Sequence, residues 1–366
     1  MLLLGDKARR MIRIDRNNPG NTWTDILKDP SDAAAIRGLL WASSQAVRQE
    51  LFDSLTWNFG APVARAFLYE GPTHLEKESD FFADTFGEDI VSRAQMVLLQ
   101  RQYSLSQVRC TTTIAWDKEK GQMVHFRSLD WAPMTRELAA ATRILNFEGA
   151  TPGENFSAAG ILGMVGLLTA VRKNGFSVVI NYTPTNRGVP LGAADPTFML
   201  RELMENPHIA NYRQAVTAVE TWKDTVAPVF ISLCGVDEGD GCIIEFGREK
   251  DGTAMARTIR MSETGLSHLV GTNHYRPGTS LSEWNCRLSP SPEGPGVNWD
   301  RFELTETSWA RQEFVMQALK HHEGSQKTLE ETLVEAYSKA PVWNCETFQW
   351  AMMTPKTGDI KVWARR

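Results

Sequence analysis

Residues 109–131, RCTTTIAWDKEKGQMVHFRSLDW, read as a β-hairpin. Thr111, Thr113 and Ala115 alternate with Thr112, Ile114 and Trp116, the period of two that a strand imposes. DKEKG supplies a polar, glycine-bearing turn, and MVHF opens the return strand. Cys110 then heads the first strand, while Arg127 and Asp130 lie on the second. Residues three apart on an ideal strand point to opposite faces, so a bulge or a strand end at Asp130 is needed to bring both to the thiol. From these residues alone two readings stand: a small buried cysteine beside a surface ion pair, or a site that uses all three.

Working outward, the hairpin sits at a change of texture. Ahead of it, from Ser31 to Trp57, Ala35, Ile36, Leu39, Leu40, Ala46, Val47, Leu51 and Leu55 recur at helical spacing, and Ile90, Ala94, Val97 and Leu98 do so again. This first zone is expected to be mostly helical. Behind Cys110 come short β-rich segments: FSVVIN, PVFISLC, CIIEFG and HLVGTN, with DEGDG among the turns. DPTFMLRELME and ANYRQAVTAVETW interrupt them as helices. A Pro/Gly-rich loop near Pro292 precedes helices around Ser308–His321 and Leu329–Ala340, and ETFQWAMM with GDIKVWA reads as a closing hairpin. The order predicts an α+β layered fold without internal repeats. AAGILGMVGLLTAV, 158–171, is too short to span a bilayer and reads as two buried strands about a glycine bend.

Composition narrows the function classes. The chain has 366 residues, 42% hydrophobic and 23% charged, with net charge −5, the profile of a globular protein with a large core and no basic footprint. Nucleic acid is therefore not an expected partner. The five cysteines (Cys110, Cys234, Cys242, Cys286, Cys345) are odd in number and form no CxxC pair, which predicts neither a zinc ribbon nor a disulfide framework. His321 and His322 lack a ligand spacing, no phosphate-binding loop or GxSxG elbow occurs, and no metal or cofactor is expected. Nothing in the spacing pairs His274 with Cys110 as in a Cys/His protease. MLLLGDKARR is too short an apolar run for a signal peptide, so the chain as written is expected in the cytoplasm, or in a lysosome or outside the cell if a leader precedes it.

CTTTIAWDKEKGQMVHFRSLDW resembles the start of the catalytic subunit in the acid ceramidase and N-acylethanolamine acid amidase family, of the choloylglycine hydrolase branch of N-terminal nucleophile hydrolases. That pattern is C-T-S-I-V, a charged turn, then H-G-R-N-x-D; here Thr112 replaces the serine, Phe126 the glycine and Ser128 the asparagine, and the turn is one residue longer. Further matches follow in order: GMVGLLTAVRKNGFSVVIN (163–181), APVFISLCGVDEGDGCIIEFGRE, LVGTNHY and the terminal hairpin. One departure is that Asn181 is followed by Tyr182 and Thr183 where ceramidase-like enzymes continue N-E-R.

The resemblance implies a four-layer αββα sandwich, self-cleavage between Arg109 and Cys110, a helical subunit 1–109 and a catalytic subunit 110–366 held as a heterodimer. Cys110 would supply both the thiol and, once it is a chain terminus, an α-amine to take its proton. Asp130 would orient that amine, Arg127 would lie beside the thiol, and Asn181 and Asn273 would be the two asparagines of the site, Asn273 as oxyanion donor. Arg311, in SWARQEFVMQAL, matches the family's site arginine, with Arg287 and Arg301 as rivals. The implied reaction is hydrolysis of a lipid amide, an N-acylethanolamine or ceramide, without a cofactor, and apolar helices of the first zone would offer a surface for an acyl chain or a membrane face. The alternatives are a bile-acid-conjugate or penicillin-type amidase, an acyltransferase, or an uncleaved, silent lipid-binding relative.

Overall fold

The computed structural model describes residues 11–53, 73–87, 93–105, 108–132, 134–183, 194–222, 225, 228–248, 253–277 and 304–365. In chain order these hold β1 (Met11–Asp15), α1 (Pro19–Leu27), α2 (Pro30–Asp53), α3 (Thr73–Phe86), α4 (Arg93–Leu105), β2 (Arg109–Asp117), β3 (Gln122–Asp130), α5 (Thr135–Ala141) and β4 (Thr142–Glu148). Then come β5 (Phe156–Ile161), β6 (Thr169–Val171), β7 (Ser177–Tyr182), α6 (Pro196–Glu205), α7 (Tyr212–Glu220), β8 (Val229–Cys234), β9 (Gly241–Arg248) and β10 (Ala254–Arg260). The chain closes with α8 (Met261–Thr264), β11 (His268–Gly271), α9 (Leu304–His322), α10 (Leu329–Tyr337), β12 (Thr347–Thr354) and β13 (Asp359–Ala364).

Two sheets face each other. The larger runs β1-β4-β5-β6-β7-β8-β9-β10 and the smaller β11-β2-β3-β12-β13. Between them Ile114, Met123 and Leu269 of the small sheet meet Phe230, Cys234 and Ile243 of the large one, and Ala351 and Val362 meet Ile144 and Ala159. Residues of α9 and α10, among them Val315, Leu319, Leu333 and Tyr337, cover the outer face of the small sheet. Helices α6 and α7 cover the large sheet, adding Phe198, Leu200, Ala215 and Val219 to the principal core. This is the helix, sheet, sheet, helix layering that two half-apolar sheets require.

Local chemistry places the element ends. Asp195 caps α6 through the Thr197 N–H, with Pro196 in the first turn, and reciprocal capping boxes open α7 (Asn211, Gln214) and α10 (Thr328, Glu331). In the β2–β3 turn Gly121 adopts φ +58, which a side chain would resist, and Asp117 Oδ1 accepts the N–H groups of Glu119 and Lys120. The run 158–171 is the strand, bend and strand expected, with Gly163 at φ +88 in the bend.

The first zone is not only helical. Its β1 pairs in parallel with β4, Ile12 and Ile14 pointing inward, so the N-terminal part supplies an edge strand of the large sheet. Its helices are also less open than expected. Among the described residues Ile36, Leu39, Leu40, Met96, Leu99 and Tyr103 are buried, and Trp41, 65% exposed, is the large apolar exception on α2. Among the described residues of these helices, then, Trp41 is the large apolar side chain left open to solvent, the others being packed in the principal core. No helix among the described residues is long and apolar enough to cross a membrane.

Candidate active site

Cys110 is the second residue of β2, and each of its functional groups is held by a side chain distant in sequence. Its N–H donates to Asn273 Oδ1 at 2.9 Å, its carbonyl accepts from Arg311 Nη1 at 2.5 Å, and Arg127 Nη2 lies 3.4 Å from its sulfur as donor. Cys110, Arg127, Asp130, Asn181, Asn273 and Arg311 are all buried. The thiol forms no disulfide, nor do those of Cys234 and Cys242.

The strand period decides which face each group occupies. On β2, Cys110, Thr112 and Ile114 face the large sheet, whereas Thr111, Thr113 and Ala115 face α9 and α10. On β3, His125 and Arg127 face inward, and Phe126 and Asp130 outward. β2 and β3 pair without a slip from Arg109 opposite Asp130 to Asp117 opposite Gln122. Asp130 therefore stays on the face opposite Arg127, and it is the last residue of β3, the strand end that the spacing demanded. A register shift does occur beside it, in β12 between Thr347 and Gln349.

On the inner face Arg127 donates through Nη1 to the Leu168 carbonyl (2.7 Å) and Thr169 Oγ1 (2.5 Å), and through Nη2 to the Ile180 carbonyl (3.0 Å). None of these partners is a carboxylate, so the guanidinium charge is left to the sulfur. His125, hydrogen-bonded to Ser177 Oγ at 2.9 Å, is kept neutral: burial, and then Arg127, push its pKa down to about 3. Asn181 Oδ1 accepts from Thr112 Oγ1 (2.8 Å) and its Nδ2 donates to the Thr272 carbonyl (3.1 Å). Across the large sheet Asn181 stands in one row with Phe230, Glu245 and Arg257. Burial raises the Glu245 carboxyl to about 7 against the opposing pull of the Arg276 N–H, Arg257 and Arg276.

The outer face is a balanced charge cluster. Asp130 accepts from Asn344 Nδ2 at 2.9 Å, and Arg109 lies 3.3 Å from Glu346. Arg311 also donates to Thr111 Oγ1 (2.9 Å) and to Asn273 Oδ1 (2.7 Å). Burial raises the Asp130 carboxyl, with Arg311 the largest opposing influence, and burial lowers Arg311 to about 10. Asn273 joins the two faces at the strand end: its Nδ2 donates to the carbonyls of Val108 (3.2 Å) and Tyr182 (2.5 Å).

The structure thus brings Cys110, Arg127, Asn181, Asn273 and Arg311 into one connected set and places Asp130 beside Arg311. Arg287 and Arg301, with Cys286, lie outside the described residues. His274 bonds Ser308 Oγ at 2.7 Å, stacks on Trp309, and has its pKa pushed down to about 3, with burial the largest cause, so it remains in a structural cluster with Ser308 and Thr272. Sequence reasoning missed Asn344, Glu346 and Tyr103. The last is a buried residue of α4 whose hydroxyl lies 3.4 Å from the Ile180 carbonyl, and whose pKa is raised by burial and then by the Cys110 thiol. At helical spacing with Met96 and Leu99, Tyr103 has the signature of an ordinary core residue.

No family model matches the chain. It is 32% identical over 189 residues to the acid ceramidase of Balaenoptera acutorostrata scammoni and 27% identical over 189 residues to that of Homo sapiens. Each match takes in 46% of this chain and 46% of the relative, so the chain matches about half the length of these curated relatives. Among solved structures, the N-acylethanolamine-hydrolyzing acid amidase ortholog of Caenorhabditis elegans superposes with TM-score 0.50 at 23% identity, covering 70% of this chain and 100% of that one. The chain is thus similar to acid ceramidases over about half its length, and its two facing sheets between helical layers have the N-terminal nucleophile hydrolase fold.

Proposed function

We propose that the chain cuts itself between Arg109 and Cys110 and that the resulting pair, 1–109 and 110–366, hydrolyses a lipid amide, an N-acylethanolamine or a ceramide. The observation that supports this most is that the amide nitrogen, carbonyl oxygen and sulfur of Cys110 are each engaged by a different candidate residue, Asn273, Arg311 and Arg127. The backbone N–H and carbonyl need partners at any buried residue, but a guanidinium set against the sulfur is more than a packing cysteine requires. The curated relatives are named as acid ceramidases and the solved neighbour as an acid amidase, which is why a lipid amide is favoured.

In the first reaction the Cys110 sulfur attacks the Arg109 carbonyl carbon, the C–N bond to Cys110 breaks, and the nitrogen leaves with a proton as an α-amine. Water then hydrolyses the thioester to an Arg109 carboxylate and regenerates the thiol. In the second reaction that amine takes the thiol proton, the sulfur attacks the substrate carbonyl carbon, the ammonium passes the proton to the substrate nitrogen as the C–N bond breaks, and water then hydrolyses the acyl thioester to the fatty acid and the free thiol. Arg127 faces the negative charge on sulfur; Arg311 fixes the carbonyl of Cys110 and hence the angle at which the new terminus projects. Asn273, already on the Cys110 nitrogen, frees an N–H for the oxyanion once the segment at Val108 shifts after cleavage. Asp130 stands at the same strand end to accept from the amine.

Intact mass and N-terminal sequencing of purified protein held at neutral and acidic pH, wild type beside Cys110→Ala, test the reading. The expected result is two fragments in wild type, the larger beginning CTTTIAW, and one chain in the variant. Incubation of the processed pair with an N-acylethanolamine, a ceramide, a conjugated bile acid and penicillin V then assigns the substrate. A wild-type chain that stays whole under every condition overturns self-cleavage, and fragments that release no acid from either lipid overturn the lipid amide.

A further inference from the structure

Tyr103 lies seven residues before Cys110, on the other side of the bond proposed to be cut, yet its ring is fully buried. Three neighbours lock the helix that presents it. Gln100 donates to the Gly163 carbonyl (2.7 Å) and accepts from the Val165 N–H (2.8 Å), Arg101 lies 3.4 Å from Asp195, and Ser104 donates to the same carboxylate at 2.8 Å. The ring meets Trp131 edge-on, with centroids 5.8 Å apart. That packing leaves the hydroxyl 3.4 Å from the Ile180 carbonyl, on the side of the site where the Cys110 thiol raises its pKa. The Ile180 carbonyl also accepts from Arg127 Nη2, the nitrogen that faces the sulfur.

We propose that the Tyr103 hydroxyl is a switchable partner of the reacting sulfur, donating to the Ile180 carbonyl while Cys110 is a thiol and turning to donate to the sulfur when it becomes a thiolate. Arg127 fills one side of the sulfur as a fixed donor, and the phenol occupies another with a hydrogen that rotates. Burial and the nearby thiol raise the phenol well above its ordinary value, so it remains a donor throughout the working range. The N-terminal fragment then supplies part of the site itself, and not merely a scaffold. Besides Tyr103 of α4, the titratable groups facing this sulfur and phenol are Arg127 of β3, Arg311 of α9 and Tyr182 of β7.

This inference rests on Cys110 being the nucleophile, and its test is independent of cleavage. In protein labelled with ¹³C at cysteine Cβ, with wild type and variants compared in the same cleavage state as read by intact mass, the Cys110 signal is assigned by its loss in Cys110→Ala and followed against pH. Tyr103→Phe keeps the ring and is expected to raise the thiolate midpoint by about half a unit to one unit, the effect of losing one hydrogen bond to the charged form. Trp131→Phe, which disturbs the ring contact but keeps the hydroxyl, is expected to leave it in place. An unmoved midpoint in Tyr103→Phe, including a thiol that stays protonated to the alkaline limit in both proteins, overturns the proposal, and so does an equal shift in both variants. A wild-type chain that never cleaves overturns the self-cleaving reading instead.

Discussion

The two faces of the β2–β3 hairpin hold charge in opposite ways. Inside, Arg127 is surrounded by two backbone carbonyls, a hydroxyl and a sulfur, without a carboxylate among its partners. Outside, Asp130, Glu346, Arg109 and Arg311 set two negative groups against two positive ones. Charge withheld from compensation is a reagent, whereas charge compensated on the spot is a fastening. One hairpin therefore places a live cation against the thiol and a neutral clamp against the helices, separated only by the thickness of a strand.

The contrast is broken most severely by removing Arg311. Arg311→Met leaves the buried Asp130 carboxylate without its largest opposing charge, and about 3–5 kcal/mol of stability should go at pH 8. Asp130 already has a folded pKa above its unfolded value, and the variant raises it further. Stability is then retained below the unfolded carboxylate range and lost as pH rises through the folded value, so urea melts should show a smaller loss at pH 5 than at pH 8. Asp130→Asn in the same background should restore most of the difference.

In a Cys110→Ala background, which removes the sulfur it faces, Arg127→Met strands only neutral acceptors and should cost about 2–4 kcal/mol, nearly the same at pH 5 and pH 8 because His125 stays neutral over that span. A loss that grew with pH would reveal a carboxylate that Arg127 had been neutralising and would dissolve the distinction between the faces.

Glu245 sharpens the rule, since it is a carboxyl on the inner side of the large sheet. Its folded pKa of about 7 lies above the ordinary 4.5, so stability is greatest below pH 4.5 and is lost as pH rises to about 7, by about 3 kcal/mol at most. Glu245→Gln should recover that amount at pH 8 and nothing at pH 4, read from melting temperatures. Smallest of all, Tyr337→Phe removes one neutral bond to Thr113 Oγ1 across the outer face, and about 1 kcal/mol, independent of pH below 9, should be lost.

What the chain disclosed beforehand follows the range of each interaction. Alternation in TTTIAW and the DKEKG turn are local, so β2 and β3 were legible, while the spacing left open whether Asp130 sits at a bulge or at the strand end it occupies. β4 escaped because TRILNFE follows α5 without a break, leaving no turn to announce it. β1 escaped because MIRID is short and lies among charges, and only its parallel pairing with β4 makes a strand of it. β10, an edge strand with mostly solvent-facing residues, lacks the apolar alternation that would mark it. Within the site, Cys110, Arg127, Asn181, Asn273 and Arg311 could be nominated by the order of motifs. Tyr103 and Asn344 could not, because each is defined by a partner that only the fold brings near.

The edge strand β1 has a consequence for the proposed cleavage. Were the bond before Cys110 severed, the two pieces would still share a sheet and a core, so the nick would leave the molecule's hydrodynamic radius almost unchanged. Its unfolding, however, would change molecularity. One folded particle would become two diffusing ones, and the translational entropy released would make the melting temperature climb with protein concentration in the nicked form alone.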